Sequence, residues 1–221
     1  MKYKITLLAL LSISLGYSQS IMPKAVTQEM SAGAQPGITV YMANVSEDNV
    51  EDAIEEITKP YKGKETKIRK SDEFYLDNAT IEQISPNTID IHQVVAKDGN
   101  GYNYTAFFNL GGLFLDNAYS PEKFQYATNI VKSIAVKATE LHMDEVLESE
   151  NKVLEGLEND KVKLAKGSEK LEKNIKKAKD LIKDSEDEIK ENAKVMASKT
   201  AEIETQRQKL IKLQDIKKML N

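Results

Sequence analysis

Residues 153–171 read VLEGLENDKVKLAKGSEKL, and the spacing within them decides the architecture. Apolar residues recur at alternating steps of three and four, between charges of both signs. That is the seven-residue pattern of helices that bury one stripe against other helices. With Leu154 as position a, the a row continues through Ile175, Ile182, Ile189, Met196, Ile203 and Leu210. The d row holds Leu157, Leu164 and Leu171, then returns to apolar residues at Leu213 and Leu220. Lys161 and Ser168 interrupt the a row; Ser185, Asn192, Lys199 and Gln206 interrupt the d row. The whole aromatic-free segment 140–221 reads as a coiled-coil stalk or a helical hairpin. Unbroken from Pro121 onward, such a helix would extend roughly 150 Å at about 1.5 Å per residue.

The flanks refine this reading. Glu169 with Lys173, Glu172 with Lys176 and Glu186 with Lys190 stand four apart in the favourable order. Leu181, Val195 and Ile216 fall at g and Ala165 and Ala193 at e, while Glu202 with Arg207 gives one g-to-e pair for a parallel dimer. A widened apolar face with few specifying charges suits a bundle or a folded-back chain. Gly156 and Gly167 each weaken a helix interior, and Gly167-Ser168 is a place where one helix would end and another be capped. Against that hairpin, the register passes Gly167 without a skip, and no proline follows Pro121.

Composition limits the function classes. The chain has 221 residues, 40% hydrophobic and 30% charged, with a net charge of −4. An acidic balance gives no general attraction to nucleic acid, although residues 161–179 are locally basic and 143–160 acidic. Cysteine is absent, which excludes disulfides, thiolate metal sites, cysteine nucleophiles and lipidation at a cysteine.

Residues 1–20 read as a secretory signal peptide. Lys2 and Lys4 are followed by an apolar run over 5–15, too short to span a bilayer, and then by small residues suited to cleavage. The expectation is an exported protein, periplasmic or secreted, with no integral membrane span after cleavage. Residues 21–36 read as a flexible leader.

Residues 37–139 read as a small α+β head. Alternation over 37–43 predicts a strand, and Ser46 caps a helix carrying Val50, Ala53, Ile54 and Ile57 on one face. Pro60 ends that helix. Segments 73–76 and 80–84 read as short strands and 88–96 as a stronger one. Residues 97–101 are a hairpin turn leading into a partner strand over 102–110. Gly111-Gly112 reads as a bulge or a close backbone approach. Ser120 and Pro121 open the last helix, with a stripe of Phe124, Ala127, Ile130, Val131, Ile134 and Ala138. The order β-α-β-β-β-β-α predicts a mostly antiparallel sheet with two helices on one face.

Within this head, Tyr61-Lys-Gly-Lys64, Asp77-Asn-Ala-Thr-Ile81, Ile84-Ser-Pro-Asn-Thr-Ile-Asp90 and Phe108-Asn-Leu-Gly-Gly112 resemble an uncharacterised family of exported Gram-negative bacterial proteins. There a similar head precedes a charged helical tail. The resemblance covers nearly the whole chain and implies export and architecture, without implying an activity.

Candidate chemistry is sparse. Residues 62–67 lack the glycine spacing of a phosphate loop, and Asp98, Asn100 and Asn103 lack the remaining ligand spacing of a calcium loop. His92 and His142 are isolated, and Asp72, Asp77 and Asp90 show no paired geometry; an enzyme would have to draw on Asp77, Asp90 and His92. Tyr41, Tyr75, Tyr102, Tyr104, Phe107 and Phe108 read as core and half-exposed sheet residues. The expectation is a non-enzymatic interaction protein with no cofactor and no metal. Its head recognises something, and its stalk binds a second copy or a helical partner, with no nucleic acid involved. The alternative is a periplasmic small-ligand or peptide-binding module, with the stalk as spacer.

Overall fold

The computed structural model describes residues 21–68 and 73–219; residues 1–20, expected as a signal peptide, Asp72, and Leu220 of the apolar seam lie outside the described residues. Six strands and two helices follow one another: β1 (Lys24–Met30), β2 (Gly33–Ala43), α1 (Glu47–Thr58), β3 (Lys64–Lys67), β4 (Glu73–Ala79), β5 (Ile89–Asp98), β6 (Gly101–Asn109) and α2 (Pro121–Met219). The strands form one sheet in the order β1-β2-β6-β5-β4-β3. Every neighbouring pair is antiparallel.

Alternation in the strands selects one face for the core. Ile38, Val40 and Met42 of β2, Ile89, Ile91 and Val95 of β5, and Tyr104, Ala106 and Phe108 of β6 are buried together. Val50, Ala53 and Ile54 of α1 join the same cluster, as do Ala127, Ile130, Val131, Ile134, Ala135 and Ala138 of α2. The helix stripes expected from spacing are therefore the ones facing the core, with Ile57 and Phe124 only partly buried at its margin. Ser46 caps α1 reciprocally: its hydroxyl accepts from the Asn49 amide at 3.1 Å, and its own amide donates to the Asn49 side chain at 3.0 Å. Asn49 Nδ2 also donates to Glu145 Oε1 of α2 at 3.0 Å, joining the start of α1 to the second helix. A 3₁₀ turn over Lys59–Tyr61, with Pro60 inside it, ends α1.

Four expectations change. Residues expected as a leader form β1 and the start of β2, a hairpin closed by Ser31 and Ala32. Segment 80–84 is a turn, in which the Ile84 and Ser85 amides both donate to the Ile81 carbonyl. Ile81 and Ile84 are buried, so their three-residue spacing is that of a turn plugging the core. Lys64–Lys67, within the stretch 62–67 compared above with a phosphate loop, is edge strand β3. Gly111 and Gly112 meet no neighbour that an added Cβ would strike, so close approach is not their reason. Both take positive φ, 95° and 102°, and their amides donate to Asn109 Oδ1.

The hairpin form of the stalk is overturned. α2 runs from Pro121 to Met219 as a single helix, through Gly156 and Gly167. Neither glycine has a special φ, and nothing stands near the Cβ that either would carry. The chain divides into two compact units between Asn151 and Lys152, each described separately below.

Candidate functional site

In the second unit the seam is open. Leu154, Leu157, Leu164, Leu171, Ile175, Ile182, Ile189, Met196, Ile203, Leu210 and Leu213 all lie on α2 and are all exposed. Leu164 is 73% exposed and Met196 70%, values unlike those of any core residue. Heptad spacing places these side chains along one stripe. The charges flanking them pair within the helix. Lys173 reaches Glu169 at 2.8 Å as its spacing foretells, whereas Lys190 turns to Asp187 at 3.0 Å instead of Glu186. Lys163 meets Asp160, Lys199 meets Glu202, and Arg207 stands 3.9 Å from Glu204. Such exposed pairs contribute little, so the helix surface is held for solvent on its flanks while its apolar stripe is not covered.

In the first unit a polar cluster occupies the sheet face opposite the helices. Glu73 opens β4 and is almost wholly buried. Its carboxylate accepts from the Ser31 amide and the Ser31 hydroxyl, each at 2.8 Å, and lies 2.8 Å from His92 Nδ1. Burial pushes the Glu73 pKa up, but the Ser31 and His92 hydrogen bonds outweigh it and hold the carboxyl below its ordinary range. An ionised carboxylate only accepts, so His92 presents Nδ1–H to it. The imidazole stacks on Tyr75, with ring centroids 5.3 Å apart, and tilts against Phe114.

Ser31 belongs to the β1–β2 turn, yet it reaches β4, with β6 and β5 lying between β2 and β4 in the sheet. The free end of that hairpin therefore folds back across the face. Gly37 permits this, because a Cβ there would stand 2.6 Å from the Phe107 ring. Thr105 Oγ1 donates to Thr39 at 3.0 Å beneath the same arm.

The residues that an enzyme would have needed do not converge. His92 takes Glu73 as its carboxylate, while Asp90 accepts from the Asn78 amide at the surface. Asp77 pairs in register with Lys64 of the edge strand. Glu73 was missed in the sequence reading; its one signal was a charged residue at the start of an apolar strand. On the helix face, Tyr104 is fully buried and donates to Gln93 Oε1 at 2.6 Å; burial drives its phenol pKa upward.

Two hollows remain. A small cleft of about 130 Å³ is lined by Glu51, Asp52, Glu55, Glu65 and Phe74. A wider groove of about 420 Å³ runs between α1 and α2 beside Ile57, Ser133 and Val136. Across that groove Lys137 and Glu56 pair at 2.8 Å, and this bond raises the lysine pKa. Among the described residues no group of three or more histidines and carboxylates is arranged to hold a metal ion. No described helix is long and apolar enough to cross a membrane.

No protein-family model matches the chain, and comparison with curated proteins finds no match.

Proposed function

We propose that this is an exported, non-enzymatic interaction protein, periplasmic or secreted, whose stalk self-associates or docks onto a helical partner while the head provides recognition. The observation that carries this is the exposed stripe from Leu154 to Leu213 on a helix otherwise clothed in charge. A stripe of that length loses free energy in water for every side chain left uncovered, roughly 25 cal/mol per Å² of apolar surface. Helices bearing such stripes are covered by other helices. The resemblance to exported head-and-tail proteins and the signal-peptide pattern support the compartment.

Sedimentation of the chain at tens of micromolar tests the reading. The expected result is a concentration-dependent species of at least twice the chain mass. A monomer across that range, in the absence of any helical partner, would count against self-association. A ligand-binding head has its own supporting feature in the groove between α1 and α2, where apolar Ile57 and Val136 lie among paired charges.

A further inference from the structure

We infer that the occupant of the seam is a second copy of this chain running antiparallel, with the two-fold axis between Lys183 and Asp184. This deepens the self-association reading and rests on it. The first argument is charge. Along the exposed part of α2, residues 148–160 are net acidic, 161–183 net basic, 184–206 net acidic and 207–219 net basic. A parallel, in-register pair sets each block against its like. An antiparallel pair about that axis sets 148–160 against 207–219 and 161–183 against 184–206, so acid faces base throughout.

The second argument is the core. In an antiparallel pair each a position shares a layer with a d position of the other copy. About this axis Leu154 meets Leu213, Leu157 meets Leu210, and Leu164 meets Ile203. Leu171 meets Met196 two layers further on. Of the polar interruptions, Lys199 meets Ser168 and Gln206 meets Lys161, while Asn192 and Ser185 meet Ile175 and Ile182 nearer the axis. Reversing one chain thus sets apolar on apolar in the outer layers, as a parallel in-register pair also would, so the choice of direction rests on the charges.

The third argument is the flanks. Antiparallel layers are edged by e against e and g against g. At the Leu157–Leu210 layer these are Glu158 with Arg207 and Asp160 with Lys209, both attractive. Near the axis Lys179 faces Glu186. Sliding the register by one heptad so that Leu157 meets Ile203 sets Glu172 against Glu186 and Asp160 against Glu202. The intrahelical partners of these groups, Lys163 for Asp160 and Glu204 for Arg207, are exposed and free to be shared.

The native chain lacks cysteine, so single cysteines report pairing cleanly. Whole chains carrying Leu157→Cys and Leu210→Cys are mixed and oxidised in a glutathione buffer. The expected product is the mixed 157–210 disulfide. Disulfides of 157 with 157 and 210 with 210 would overturn the antiparallel direction while leaving self-association standing. Preferential pairing of Leu157→Cys with Ile203→Cys would overturn the register. A monomer by sedimentation would overturn both this inference and the reading beneath it.

A charge swap gives an independent arm. E158K/D160K and R207E/K209E chains should each self-associate about tenfold or more weakly, since like charges then face each other. An equimolar mixture should recover the native strength, because each site again joins opposite charges. Failure of the mixture to recover, with both variants still helical, would overturn the arrangement.

Discussion

Glu73 is where a single side chain ties distant parts of the sheet together. Its ionised form is the one held by Ser31 and His92, so its folded pKa lies below the unfolded value. The stabilisation is therefore present above the ordinary glutamate range and is lost as pH falls through the folded pKa. The expected outcome is an acid limb in the stability of the head that Glu73→Gln flattens, measured by urea titration between about pH 3 and pH 7. An unchanged limb in the variant would show that other carboxylates set it. None of this was legible from the sequence. Glu73 and His92 meet because β4 and β5 pair in a register that sets Tyr75 against His92. Ser31 joins them only because a hairpin folds back. Local patterning carries no signal for either event.

Elements were legible in proportion to how sharply burial separated their faces. β5 alternates buried and half-buried residues from Ile89 to Val95, and alternation foretold it. β1 and β3 lie at the two edges of the sheet and are largely exposed, so their sequences carry no apolar stripe to read. Ile81 and Ile84 misled because buried turns and buried strands share a composition. In α2 the heptad repeat told of a helix but left its continuity open at Gly167. Since that glycine is helical with open space around it, Gly167→Ala should stabilise the helix by about 0.5–1 kcal/mol. A rise in the circular-dichroism melting midpoint is the expected sign. A fall would mean that the glycine sits in a bend that alanine cannot follow.

At the scale of the sheet, four of its five strand pairs join strands that follow one another among the described residues, and one does not. β1 with β2 and β5 with β6 are hairpins joined by two-residue turns, with Gly99 at positive φ in the second. β2 with β6 is different: Ile38 faces Ala106 and Val40 faces Tyr104, with α1, β3, β4 and β5 all intervening in the chain. The flanking pairs need only short loops to close. That one central seam requires two remote stretches of chain to find each other, and the entropic cost of doing so falls before any of its reward. Folding of the head should accordingly wait on this closure. Val40→Ala should slow refolding nearly in step with the stability it removes, as stopped-flow chevrons would show. A variant that refolds at the native rate and merely unfolds faster would place the closure after the barrier. The strand order thus sets a clock as well as a shape: quick pairing of strands that follow one another, then one slow meeting in the middle.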